Sequence, residues 1–169
     1  MFLFGTNLFA QCPVQGDNKN PKIQAADRLK NRSYCPAKSM AHPVDLEALM
    51  ADKVTDTGFV YVDAYITSAK ISGLESAECH VKDKSMQDYH IYISYSGTDK
   101  LGSHNQIVEV SRYSRQLNPG LDYAYVKSLV GKKVRIYGYT FMDDEHKSAI
   151  GNWRAGIQEI HPVFYIDKL

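Results

Sequence analysis

An all-β barrel of five strands with one helix between the third and the fourth is what this sequence predicts. Three observations lead there. Five segments beyond residue 56 alternate apolar and polar side chains with the period of a strand. One further segment, LDYAYVKSLVG (121–131), instead repeats its apolar residues at three and four, as a helix does. Tyrosine is also unusually abundant, at twelve of 169 residues against one tryptophan and six phenylalanines. A side chain with an apolar body and a polar tip suits strands with one wet face.

Residues 11–56 come first and read as an arm or cap rather than a domain. They are polar and turn-rich, with Pro13, Gly16, Asn18, Asn20, Pro21, Pro36 and Pro43 spread through them. Within the arm, AADRLKNR (25–32) has helical propensity, and VDLEALMA (44–51) places Val44, Leu46, Leu49 and Met50 at helical spacing. The domain proper occupies 57–169. Its first strand, GFVYVDAYITSAKIS (58–72), sets Val60, Val62, Ala64 and Ile66 against Tyr61, Asp63, Tyr65 and Thr67. The strand is long enough to serve both halves of a barrel, and the small residues Ala64, Ser68 and Gly73 suit a bend. YHIYISYS (89–96) is the second strand, and the turn GTDKLGSHN separates it from the third, QIVEVSRY (106–113). Asn118-Pro119-Gly120 breaks the pattern ahead of the helix, which Gly131 is placed to end. KKVRIYGYTFM (132–142) is the fourth strand, DDEHKSAIGNWR a loop, and AGIQEIHPVFYIDKL (155–169) the fifth. The order β-β-β-α-β-β is that of an OB-fold, a five-stranded Greek-key barrel. An open sheet with one helix would share the order; closure is preferred because it removes exposed edges.

The net charge of +1, with 44% apolar and 23% charged residues, describes a globular chain. It disfavours nucleic-acid binding driven by bulk charge. No run approaches the roughly 18 apolar residues of a membrane span. MFLFGTNLFA (1–10) is far more apolar than the segment after it and reads as a truncated signal peptide ending at Ala10, so the protein is expected to be exported, to the periplasm or beyond. Lipidation of Cys12 is disfavoured by Gln11, where a small residue is wanted. Cys12, Cys35 and Cys79 have no CxxC spacing. In an exported protein Cys35 and Cys79 could pair, leaving Cys12 spare; three free thiols is the other reading.

Five stretches carry a family resemblance: RLKNR (28–32), DYHIYI (88–93), IVEVSRYSR (107–115), LVGKKVRIYGYTFMDDEH (129–146) and WRAGIQEIHPV (153–163). Together they resemble the successive motifs of an uncharacterised group of exported bacterial OB-fold-like proteins. That group has Trp where Gln158 stands, and Thr-Pro-Arg where Ser111, Arg112 and Tyr113 stand. The resemblance implies the fold and an exported setting, and it gives no reaction, because the group's activity is not established.

Strand alternation brings a set of titratable residues together. Glu159 and His161 share one face of the fifth strand with Ile157 and Val163, opposite Ile160, Phe164 and Ile166. Asp88 and His90 share a face of the second strand, and Glu109 lies on the third. If these faces meet, His90, Glu109, Glu159 and His161 form one polar cluster, which Asp143, Asp144, Glu145 and His146 join from the loop. Imidazole beside carboxylate suits a divalent metal or acid/base work. The competing reading is structural: hydrogen-bonded pairs that fix a barrel end or hold the arm through Arg28 or Arg32. There is no nucleophile elbow, HExxH or phosphate-cradling glycine loop, and no motif calls for a cofactor.

The surface on which OB-folds bind would here offer Tyr92, Arg112, Tyr113, Arg115, Trp153 and Arg154, rings interleaved with guanidiniums that stack on bases or sugars. Asp143, Asp144 and Glu145 in the adjoining loop would repel phosphates. The function expected is therefore a binding or interaction module of the cell envelope or exterior, for a protein or small ligand. Single-stranded nucleic-acid or oligosaccharide binding, and metal-assisted hydrolysis at the His/Glu cluster, are the alternatives.

Overall fold

The computed structural model describes residues 12–169. The export signal expected over 1–10 lies outside the described residues. Among the described residues six strands occur: β1 (His42–Pro43), β2 (Phe59–Ile71), β3 (Tyr89–Ser94), β4 (Gln106–Val110), β5 (Lys133–Met142) and β6 (Gln158–Lys168). They pair in the order β1-β2-β3-β4-β6-β5, and β5 returns to pair with β2, so β2 to β6 form a closed barrel. The parallel β4–β6 pairing among otherwise antiparallel barrel strands gives the OB-fold order. β2 joins both halves as its length suggested: Phe59–Tyr65 pairs with β5 and Tyr65–Ile71 with β3, with a register shift between Ile66 and Ser68.

Inward residues of every barrel strand meet in one core. Val60, Val62, Ala64 and Ile66 pack with Ile91, Ile93, Val108, Val110, Val134, Ile136, Ile160 and Val163, which α2 (Leu46–Met50) closes with Leu46 and Leu49. Val163 belongs with Ile160 in this core rather than on the opposite face, and Phe164 lies on the outer aromatic face rather than beside Ile160 and Ile166. The register between β5 and β6 shifts on both sides of Gly138, which breaks the simple alternation. Gly138 is required there, since a Cβ would land on the carbonyl oxygen of Pro162 and on Ile160 Cγ2.

The helix expected over 121–131 is present in shortened form as α4 (Tyr123–Ser128), and a second short helix, α3 (Arg112–Leu117), begins where the end of the third strand was expected. Capping explains the difference. The Ser111 hydroxyl accepts from the Ser114 N–H and ends the third strand at Val110, while Asp122 accepts from the Tyr125 N–H and starts α4 beyond the Asn-Pro-Gly break.

The arm wraps the barrel. α1 (Pro21–Lys30) begins on the Asn20 side chain, which accepts from the Lys22 N–H, with Pro21 at its first position. Downstream, β1 adds a short parallel pairing to β2 that alternation did not reveal. Between them, residues 32–41 lie on an aromatic outer face of β2, β5 and β6, built from Phe59, Tyr137 and Phe164 with Tyr61, Tyr139 and Tyr165. The Arg32 guanidinium stacks 3.9 Å from the Tyr139 ring, Lys38 Nζ lies 5.3 and 5.1 Å from the rings of Tyr137 and Tyr165, and the Tyr165 hydroxyl donates to Pro36 O at 3.2 Å. Four of the twelve tyrosines, Tyr61, Tyr137, Tyr139 and Tyr165, thus belong to the seat of the arm.

The disulfide joins Cys12 to Cys79, not Cys35 to Cys79. Cys35 is held on the aromatic face, whereas Cys79 sits in the loop before β3, against which the start of the arm is packed.

Candidate functional site

The outer face of β3, β4 and β6 is where alternation placed the titratable cluster, and there the structure assembles it. His90 lies directly across from Glu109 in the β3–β4 register, and the Val108–Ile160 pairing sets Glu159 and His161 alongside. This face is covered on three sides. The loop between β2 and β3 contributes Glu75, Glu78 and Asp88; the loop between β5 and β6 contributes Asp143 and Arg154; α1 contributes Lys30.

Two chains of contacts run through the cover. In the first, Lys30 Nζ is 3.3 Å from Glu75 Oε2, His90 Nε2 is 3.4 Å from Glu75 Oε1 and 2.9 Å from Glu109 Oε1, and His161 Nδ1 is 3.6 Å from Glu109 Oε2. His161 Nε2 meets Asp88 Oδ2 at 3.1 Å. In the second, His161 Nδ1 is 3.8 Å from Glu159 Oε2, Arg154 NH1 reaches Glu159 at 2.9 Å and Asp143 at 2.7 Å, and His146 Nδ1 is 2.7 Å from Asp143. Lys30, rather than Arg28 or Arg32, is the arm residue that enters the cluster.

Charge sets the protonation here. Burial disfavours the imidazolium of His161, but Glu109, Asp88 and Glu159 outweigh it and hold the group up at about 10. His90 is raised in the same way by Glu109 and Glu75. Burial lifts the Glu159 carboxyl to about 7, with Glu109 adding to the effect. Glu109 itself is lowered against its burial by the two histidines. Carboxylates outnumber the fixed cations Lys30 and Arg154, so the imidazoles carry the remaining positive charge. Several buried atoms still lack an aligned hydrogen-bond partner: both ring nitrogens of His90, Glu109 Oε2, His161 Nδ1 and Glu159 Oε1. Such a concentration in one place calls for an explanation, since buried polar atoms are ordinarily satisfied.

Glu78 makes a separate prediction. Its carboxyl is pushed up to about 9, chiefly by burial and then by Asp88, and its Oε1 accepts from the Asp88 N–H at 3.2 Å. The folded protein thus keeps a proton that the unfolded chain releases near the ordinary carboxylate range, and stability falls as pH rises between that range and about 9. Glu78→Gln is expected to melt alongside the wild type near pH 4 and several degrees above it at pH 9. Melting curves that stay parallel across the range would remove the assignment.

Of the remaining sequence-derived candidates, His146 stays at the rim, half-buried on Asp143, and Asp144 and Glu145 face solvent. The six binding residues do not form an open surface. Tyr92 is buried, with Trp153 at its edge 6.3 Å away between ring centres. Buried Arg112 donates to Cys12 O at 2.9 Å and to the Tyr113 hydroxyl at 3.1 Å, and Arg115 donates to Val110 O, Ser85 O and Gln87 O. Arg154 is fully buried. Tyr113 and Trp153 are half-buried. Reasoning from the sequence missed Lys30, Glu75 and Glu78, which lie in the arm and a loop where no periodicity fixes direction. Gln158, where the resembling group has Trp, bonds both ways with Val54: it accepts from the N–H at 2.9 Å and donates to the carbonyl at 2.6 Å.

No protein-family model and no curated protein matches the chain. Among solved structures it is similar to an aspartyl-tRNA synthetase from Entamoeba histolytica, with 12% identity over 78% of this chain and a TM-score of 0.43. A provisionally assigned aspartyl-tRNA synthetase from Leishmania major Friedlin gives 8% identity over 80% and a TM-score of 0.44. The chain spans 22% of the length of each. Likeness at this level carries no functional argument, and the fold rests on the strand order itself.

Proposed function

We propose that the chain is a binding module of the cell envelope or exterior that takes a small cationic ligand into the covered face of its barrel. The observation that carries this reading is the buried chamber, where carboxylates exceed the fixed cations and both ring nitrogens of His90, Glu109 Oε2 and His161 Nδ1 lack an aligned hydrogen-bond partner; a bound cation would take over the charge that the imidazolium protons otherwise supply. The Cys12–Cys79 bond supports an oxidising compartment, in keeping with the export signal and the resemblance to exported proteins. Oligonucleotide or oligosaccharide binding on the same sheet would require the cover to open, because Arg112 is held by Cys12 of the arm while Tyr92 and Arg154 are engaged beneath and within the loop between β5 and β6. Hydrolysis would require a substrate to reach Glu109 beneath that cover.

Thermal shifts with three probes test the reading: a divalent metal salt, a short aliphatic diamine, and a single-stranded oligonucleotide at low salt. A cationic probe is expected to raise the melting temperature saturably, with the shift abolished in Glu109→Gln and kept in Trp153→Ala. A salt-sensitive oligonucleotide shift lost in Trp153→Ala would instead put recognition at the rim. The absence of any shift with the cationic probes would also overturn the reading.

A further inference from the structure

The cluster contains two triads whose donor atoms lie within 4.8 Å of one another, Glu75–His90–Glu109 and Asp88–Glu109–His161, sharing Glu109. They are not equivalent. In the second, His161 Nε2 is already committed to Asp88 at 3.1 Å. In the first, His90 is only 8% exposed, and neither of its ring nitrogens has an aligned partner, although Nε2 sits 2.9 Å from Glu109 and 3.4 Å from Glu75. His90 Nε2 thus faces two carboxylate oxygens with poorly aligned contacts to both, and an ion entering between the three groups would displace the imidazolium proton and meet all of their donor atoms. The outermost member of the first triad also borders a cavity. Glu75 lines a polar cavity of about 220 Å³ shared with Asn18, Ser76, His80, Glu145 and His146.

We propose that Glu75, His90 and Glu109 bind one divalent transition-metal ion, entered through the cavity beside Glu75. This deepens the cation-binding reading above and rests on it. One imidazole and two carboxylates form a mixed nitrogen and oxygen donor set, which suits Zn²⁺, Mn²⁺ or Fe²⁺ better than Ca²⁺ or Mg²⁺. Three protein ligands leave coordination positions open toward the cavity, the pattern of sites that exchange water or a substrate. The second triad supports the first: Asp88 orients His161, and His161 approaches the free oxygen of Glu109 at 3.6 Å. Lys30 is the internal competitor, since its ammonium 3.3 Å from Glu75 occupies the carboxylate that the metal needs.

Full-length protein stripped with a chelator and titrated with Co²⁺, followed by visible absorption and calorimetry, provides the test, with Zn²⁺ as a competing ion. About one equivalent is expected to bind, with affinity reduced tenfold or more in Glu75→Gln and His90→Ala and increased in Lys30→Met. Glu75 is on a loop with a side chain 19% exposed, so Glu75→Gln keeps the experiment decisive even if His90→Ala fails to fold. Trp153→Ala is expected to bind as the wild type does. Undiminished Co²⁺ binding in a folded Glu75→Gln overturns the site. If neither Co²⁺ nor Zn²⁺ binds while the diamine still stabilises through Glu109, the metal is overturned and the cation-binding reading stands. If neither kind of probe binds, both fall.

Discussion

Loss of the Cys12–Cys79 bond is expected to cost roughly 4 kcal/mol, from the chain entropy released when a loop of this length is opened. The two cysteines are 67 residues apart, and the loop between them contains the whole arm and β2. Cys12 is buried, and its carbonyl accepts from the Arg112 guanidinium. The bond therefore anchors the arm at the same place where α3 grips it. For a chain of this size the loss corresponds to a fall in melting temperature of roughly 10 °C. Melting with and without a reductant measures it, and Cys79→Ser should match the reduced wild type and be indifferent to reductant. Cys35→Ser serves as the control, because the Cys35 thiol is unpaired. A melting temperature unmoved by reduction would show that the bond does not anchor the arm.

Arg154→Met is expected to cost about 3–5 kcal/mol, the range for removing one partner of a buried ion pair. Arg154 NH1 lies between Asp143 and Glu159, and its Nε donates to the Gly156 carbonyl. Methionine fills much of the volume but removes the cation shared by the two buried carboxylates, leaving Asp143 to His146 and Glu159 to the more distant His161. Adding Asp143→Asn should recover part of the loss, and the double-mutant cycle should give a coupling well above the few tenths of a kcal/mol seen for independent sites. Because Glu159 already titrates near 7, the penalty should shrink at about pH 5, where it takes up a proton readily. Additive losses in urea denaturation at both pH values would contradict this coupling.

Residue periodicity located the barrel and half of the site. Alternation within each strand sets Asp88 with His90 and Glu159 with His161, and the β3–β4 and β4–β6 pairings meet the condition that these faces join around Glu109. Two things escaped that rule. The first is any displacement of register, so Val163 was read onto the wrong face: the shifts flanking Gly138 change which residues look inward. The second is whatever folds over the face. Lys30, Glu75 and Glu78 come from a helix and a loop whose approach depends on tertiary packing, and the same cover turned Tyr92, Arg112 and Arg154 from an apparent binding surface into interior contacts. The cysteine pairing belongs to the same class, since it depends on where the arm lies.

The position of the disulfide along the chain also bears on the order of assembly. A polypeptide is delivered from its N-terminal end, so Cys12 and Cys79 have both emerged before Tyr89 opens the first strand of the charged face. Where delivery is into an oxidising compartment, the arm can therefore be fastened while the surface it will cover has yet to follow. In that order β3, β4 and β6 would fold beneath a strap already tied, and their histidines and carboxylates would be enclosed as they meet rather than first standing open to water.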